Sequence, residues 1–275
     1  MKLFLAGILY RIVHLLYRSD KRTIVRGGIK YEIDLSEAID LSIFLFGSFQ
    51  KHIHKNKYFS FSRDAVVLDV GANVGVMSLQ FARLAPLGKV YSFEPTHYAF
   101  SKLQKNIELN PELSKRIVPI QSFVSSSTIQ SPNIAAYASW KIAGKIEDAR
   151  HQVHGGSVKT ADGIAAVSLD DFCTRNEFAR LDFIKIDTDG HELEVLKGAE
   201  KIIHKFNPVI IFEIGIYIMN EKGIKFSDYS EFFESLNYSL FNSTNLKKIN
   251  TDNYLKHIPL KGTIDILAVS KTQKI

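Results

Sequence analysis

The chain has 275 residues, 45% hydrophobic and 23% charged, a balance that excludes disordered and fibrous architectures and allows one large domain or one domain with a modest appendage. Its 35 basic and 29 acidic residues leave a net charge of +6, but residues 1–26 set six basic residues against Asp20 alone, and residues 241–275 set six lysines against Asp252 and Asp265. The stretch between is therefore net acidic, which argues against a nucleic-acid enzyme, whose cleft needs a basic surround.

The opening run Met1–Tyr10 stops at Arg11 with no small-residue cleavage pattern, so a secretory signal is not expected. It is also far short of the roughly 20 apolar residues of a membrane span. As a helix it puts Leu5, Ile8, Leu9, Ile12, Leu15 and Leu16 on one stripe. Packing of that stripe on the main domain is the simpler expectation. The sharper one is peripheral contact of residues 1–26 with an anionic membrane. We expect residues 1–60 to form an N-terminal helix and capping segment and residues 61–275 the domain proper.

Ala65–Val70 reads as a buried strand, Val74–Ala85 as a helix stopped by Pro86, Lys89–Glu94 as a second strand, Tyr98–Leu109 as a helix and Ile117–Ile120 as a third strand. Residues 121–168 break this rhythm. Rich in Ser, Ala and Gly, and holding Trp140 and Gly155-Gly156, they predict hairpin or loop structure of the kind that serves as a lid or binding element. Alternation resumes with strand Leu181–Asp187, helix Gly190–His204, strand Val209–Glu213, a helix over Ser227–Leu236, and a hairpin-like end with strand Ile264–Val269. This pattern predicts a Rossmann-like, doubly wound, mainly parallel α/β sheet with an N-terminal helical extension. Such sheets bind ligands beyond the carboxyl ends of the strands, where strand order reverses. That rule selects Asp69–Gly75, Glu94, Phe123, Asp187–Glu192 and Glu213.

Glycines at 71 and 75, between a strand and a helix, let a ligand approach the backbone. Glu94 closes the next strand, where a carboxylate can accept from both hydroxyls of a ribose. The spacing fits a nicotinamide cofactor or S-adenosylmethionine. Gly71-Ala72-Asn73-Val74-Gly75 in place of a pyrophosphate loop, with Asp69 beside it, favours the cationic S-adenosylmethionine. The plainer alternative is a tight turn with Asp69 as a helix cap. Further on, Lys185 and Asp187 lie two apart on one face of a strand, and a buried lysine there needs a carboxylate partner. Asp189 capping a helix with Glu192 reaching back accounts for those two acids. Asp187 and His191 are left without a structural task, at the edge where substrate should sit. His14, His52, His54, His151 and His154 read as surface or core residues, Trp140 as core cover rather than a platform for a sugar, and Asp170 and Asp171 as a helix start.

These residues carry a resemblance. Over residues 28–215 the chain resembles the FkbM family of S-adenosylmethionine-dependent methyltransferases. The match runs through Tyr31–Gly47, Leu68–Gly75, Phe93-Glu94-Pro95, Ser168–Asp171, Phe212-Glu213 and, most specifically, Ile184–Glu192. The resemblance implies a class I methyltransferase fold and O-methylation of a hydroxyl on a sugar, glycan or glycosylated natural product. Two departures stand out: Thr188-Asp189-Gly190 where the family more often has Val-Glu-Gly, and no acid within Gln121–Val124 to accept from an adenine amino group. Adenine contacts then fall to Ser122, backbone atoms or Phe123. For the chemistry we expect Asp187 or His191 as general base with Lys185 orienting the carboxylate. A competing version sets Mg²⁺ between Asp187, Glu213 and His191. Rival functions are an RNA methyltransferase, a nicotinamide-dependent oxidoreductase and a non-catalytic binding module. One cysteine, Cys173, precludes an internal disulfide and suits a reducing, cytoplasmic compartment.

Overall fold

Short apolar, β-branched runs form the middle of the molecule, as they must where a sheet is covered on both faces. A computed structural model describes residues 2–56, 58–128, 136–137, 142, 158–159 and 161–273. Its central sheet has seven strands: β1 (Val66–Val70), β2 (Lys89–Phe93), β3 (Ile117–Ile120), β4 (Phe183–Ile186), β5 (Val209–Ile214), β6 (Tyr238–Asn242) and β7 (Ile264–Ser270). They lie in the order 3-2-1-4-5-7-6. The first five run parallel, and β7 is antiparallel to both β5 and β6. The expected doubly wound, mainly parallel sheet is therefore present, and strand order reverses between β1 and β4.

Alternation along the strands divides the core in two. Leu68, Val70, Ile184, Ile186, Ile210, Phe212, Ile266 and Ala268 pack into one cluster. Val67, Phe183, Ile211, Leu267 and Val269 pack into the other, which the amino-terminal segment completes with Ile29, Tyr31, Ile33, Leu35, Ile39, Leu41, Ile43 and Ile53. A hairpin, Lys21–Arg26 with Ile29–Asp34, carries part of that set. The outer donors of its second strand are met by side chains of the helix His97–Glu108 and the turn after it: Lys30 N donates to Asn110 Oδ1 at 2.9 Å and Glu32 N to Asn106 Oδ1 at 2.8 Å. A boundary near residue 60, which we propose, thus separates two segments that share one core.

The structure corrects several element readings. The helix expected over Gly190–His204 is two helices, Glu192–Lys197 and Glu200–Phe206. The second starts afresh because the Asp170 carboxylate accepts from Lys201 N and Ile202 N at 3.2 and 2.9 Å, while Asp170 N donates to Gly198 O. A helix not expected, Ile216–Lys222, follows β5. The amino-terminal helix, Lys2–Tyr17, packs inward through Val13 with partial cover of Leu9 and Tyr10. Most of the apolar stripe read as its packing face points outward: Ile8, Ile12, Leu15 and Leu16 are exposed.

Within residues 121–168, Phe123–Val124 pairs parallel with Ala166–Val167, and Ala136–Tyr137 pairs antiparallel with Val158–Lys159. Trp140, His151, His154, Gly155 and Gly156 lie outside the described residues. Asp170 and Asp171 open the helix Leu169–Arg175 as expected, with Ser168 Oγ accepting from Asp171 N.

Candidate active site

At the point where strand order reverses, β1 runs into Gly71 and β4 into Asp187. Gly71 has φ 73°, and a Cβ there would lie 1.8 Å from the Asp187 carbonyl oxygen. Only glycine lets the two strand ends meet. Gly71 N and Ala72 N both donate to Phe93 O, at 3.0 and 2.9 Å, which folds the loop over the end of β2. Asn73, itself left-handed at φ 50°, turns its backbone N–H to Glu94 Oε2 at 3.0 Å. Glu94 Oε1 accepts from Thr96 N at 2.9 Å and from Thr96 Oγ1 at 2.5 Å. Burial pushes the Glu94 carboxyl up, and these hydrogen bonds hold it back. A carboxylate has about four acceptor positions, so Glu94 retains one for a ligand. Gly71, Asn73, Gly75 and Glu94 are thus brought together.

Other members of the expected cofactor set look inward. Asp69 is fully buried. Its Oδ2 accepts from Ser78 Oγ at 2.6 Å, and Ser92 Oγ donates in turn to Ser78 Oγ at 2.9 Å. The Ser122 hydroxyl lies 2.8 and 2.9 Å from the Phe123 and Ala165 carbonyl oxygens, which share its single proton, and the Phe123 side chain is buried.

Lys185 Nζ ties the reversal point together. It donates to Gly71 O at 2.9 Å and stands 3.5 Å from both Asp69 Oδ1 and Asp187 Oδ2. Burial works against its ammonium, but the charges of Asp187 and Asp69 outweigh that and hold its pKa above the usual lysine value. The carboxylate partnership expected for this lysine is thus doubled. Asp187 is partly open, and its Oδ2 also accepts from Gln50 Nε2 at 2.9 Å. Alternation along β5 and β7 sets Glu213 on the face of Ile211 and Asp265 on the face of Leu267, and the two acids are register partners. Thr263 Oγ1 donates to Glu213 Oε1 at 2.7 Å, and His52 Nε2 lies 2.5 Å from Asp265 Oδ2. Burial, then the charges of Asp187 and Asp265, push the Glu213 carboxyl well above its ordinary range. Among the described residues no group of three His, Cys, Asp or Glu side chains is arranged to hold a metal ion.

The second half of the Ile184–Glu192 stretch turns elsewhere. Glu192 Oε1 accepts from Thr188 N, Thr188 Oγ1 and Gly190 N at 2.9, 3.0 and 3.1 Å. It does reach back, but the cap position belongs to His191 rather than Asp189. Asp189 sits at φ 51°, its carboxyl pushed up by burial and by Asp187 and Glu192. The His191 ring stands against Lys222, Nε2 to Nζ 3.2 Å. It lines a cavity of about 620 Å³ with Lys222, Asp228 and Phe232. Burial and the Lys222 charge depress its pKa to about 4. The structure therefore gathers Lys185 and Asp187 and leaves His191 apart from them.

Sequence reasoning missed Gln50, His52 and Asp265. For Asp265 a signal existed, since it is two residues before Leu267 on a strand. Gln50 and His52 carry no local signal.

The model of the Methyltransferase FkbM domain matches residues 69–240. The chain belongs to the FkbM methyltransferase family. The chain is 29% identical over 152 residues to the hexuronic acid methyltransferase AglP of Haloferax volcanii, a match covering 54% of this chain and 55% of that protein. It is 25% identical over 148 residues to the 2-O-methyltransferase NoeI of Sinorhizobium fredii, covering 52% and 60%. The chain thus spans little more than half the length of these relatives. Among solved structures, a methyltransferase FkbM from Methylobacillus flagellatus aligns with TM-score 0.49 and 17% identity, over 78% of this chain and 46% of that one.

Proposed function

We propose that this FkbM-family protein is an S-adenosylmethionine-dependent methyltransferase that O-methylates a hydroxyl of a sugar, a glycan or a glycosylated natural product. The observation that carries this reading is the glycine loop closed onto Glu94 at the reversal point of the sheet. Glu94 keeps one acceptor position for a ribose hydroxyl, and the loop from Gly71 to Gly75 lies beside it, its glycines packed against the Asp187 carbonyl and the Leu103 side chain rather than left open. The adenine end lies toward Ser122 and Phe123, through backbone atoms, because both side chains are engaged or buried. Asp69 acts one step back, holding Lys185 and the loop. When bound, S-adenosylmethionine supplies a methyl carbon already activated by its sulfonium. What this chain must do is hold an acceptor oxygen in line with that carbon and take its proton.

The carboxylate of Asp187 is the base we favour. Lys185 and Gln50 fix it, and its side chain stays 22% exposed. With the donor bound, the Asp187 carboxylate would accept the proton of the acceptor hydroxyl, while the donor would supply the methyl group and leave as a neutral thioether. A second reading puts the proton on His52, whose other side is held by Asp265, Nε2 to Oδ2 2.5 Å. The names of the two relatives, one a hexuronic acid methyltransferase and the other a 2-O-methyltransferase, support a sugar acceptor.

The test uses methyl-labelled S-adenosylmethionine and a panel of hexuronic acids and neutral glycosides, with products read by mass and then treated with mild alkali. An alkali-stable methyl ether on a sugar is expected. Transfer only to carboxylates, giving alkali-labile esters, or to RNA instead of any sugar, would overturn the reading. Loss of rate in Asp187→Asn with the pH profile kept in His52→Gln assigns the base to Asp187, and the reverse assigns it to His52.

A further inference from the structure

The helix Lys2–Tyr17 is apolar on more of its circumference than the domain covers. Val13, only 5% exposed, and the partly buried Leu9 and Tyr10 face the core, and the Tyr17 ring meets the edge of Phe44 at 5.4 Å. Ile8, Ile12, Leu15 and Leu16 are 40, 52, 78 and 74% exposed. Their spacing sets them side by side as one continuous outward ridge. Scattered exposed leucines need no explanation, but a contiguous ridge marks a surface that something covers.

The charge around the ridge says what. Arg11, one turn from Ile8 and Leu15, is exposed, and so are Arg18 and Lys21 just beyond the helix. Arg22 lies over the Tyr17 ring, its guanidinium carbon 4.6 Å from the centroid. Asp20 is the one acid in residues 1–26, and its carboxylate is taken up by His14 Nδ1 at 3.0 Å and Tyr10 Oη at 3.2 Å. Lys21 stands across from Asp34 on the neighbouring strand, whereas among the described residues no carboxylate forms an ion pair with Arg11 or Arg18, so these two leave positive charge beside the ridge. Two copies meeting through this face would bring like charges together. No helix among the described residues is long and apolar enough to cross a membrane, so the geometry suits a helix lying in the plane of an interface, apolar ridge inward and cations at the head groups.

We propose that the Lys2–Tyr17 helix docks this protein on an anionic lipid bilayer, with Ile8, Ile12, Leu15 and Leu16 entering the interface and Arg11, Arg18 and Lys21 meeting lipid phosphates. This inference is independent of the methyl-transfer chemistry. The experiment is co-sedimentation of the full chain with phosphatidylcholine vesicles that contain or lack phosphatidylglycerol, alongside light scattering after gel filtration. Binding to the anionic vesicles is expected. It should fall at least about tenfold in the double variant Leu15→Glu/Leu16→Glu and in high salt, and Arg11→Gln/Arg18→Gln should lose the preference for anionic lipid. Both variants change exposed side chains, so their thermal unfolding should match that of the parent chain. Failure to bind anionic vesicles overturns the proposal. So does equal binding by the Leu15→Glu/Leu16→Glu variant, or a dimer that this variant dissociates in the absence of lipid.

Discussion

Lys185–Asp187 and Asp189–Glu192 are neighbouring halves of one short motif with much the same kinds of side chain, yet they work differently. The first half is strand: alternation sends Lys185 to the face that also bears Asp69, and at the strand end Asp187 meets the same ammonium. The second half is a tight turn, where Glu192 spends one oxygen on three donors and His191 faces Lys222. Charged residues in one motif need not form one site; backbone geometry decides which of them meet.

The largest effect expected from breaking this contrast is at Lys185. Lys185→Met would leave Asp69 buried without its counter-charge, and breaking a buried pair from one side costs about 3–5 kcal/mol. A urea midpoint unchanged from that of the parent would refute the structural role given to this lysine. Asp187→Asn should keep stability close to the parent's while turnover drops by about 10²-fold or more; a rate within a few-fold of the parent's would take the base role from Asp187. On the turn side the loss should appear in stability instead. Glu192→Ala abandons three hydrogen bonds, at a cost of roughly 1–3 kcal/mol, with S-adenosylhomocysteine affinity preserved.

A pH effect sharpens the contrast from outside the motif. His54 is buried at the end of the short helix Lys51–His54, and burial, then the charges of Arg83 and Lys55, lower its pKa to about 4. A folded-state value below the unfolded one near 6.5 means that stability is full above pH 6.5 and is lost as pH falls toward 4. Between pH 7 and pH 5 this one residue should remove about 2 kcal/mol. His54→Gln should flatten that slope in denaturation curves taken at the two pH values. The smallest effect belongs to His191→Ala, for which turnover within about threefold of the parent's is expected if the ring stands outside the chemistry.

Much of this was legible in advance, for identifiable reasons. The parallel strands, buried on both faces, read as apolar runs, and Gly71, Gly75 and Glu94 punctuated their ends. The place of Asp69 next to the loop points to a ligand, but its alternation with Val67 turns it into the core. The outward ridge of the first helix reads as a packing face in the sequence because periodicity reports that a stripe exists, not which side the domain covers. Gln50 and His52 could not be read at all. Their partners Asp187 and Asp265 lie 137 and 213 residues away, and nothing in the local sequence signals a contact made only by the fold.

Titration calorimetry with S-adenosylhomocysteine, on the parent chain and on Glu94→Gln, bears most directly on the central claim that the Glu94-closed loop is a nucleoside site. The account predicts saturable binding by the parent and an affinity at least about tenfold weaker in the variant, as loss of hydrogen bonds to a charged group implies. A parent chain that takes up none of the ligand, or a variant that binds it equally well, would contradict it.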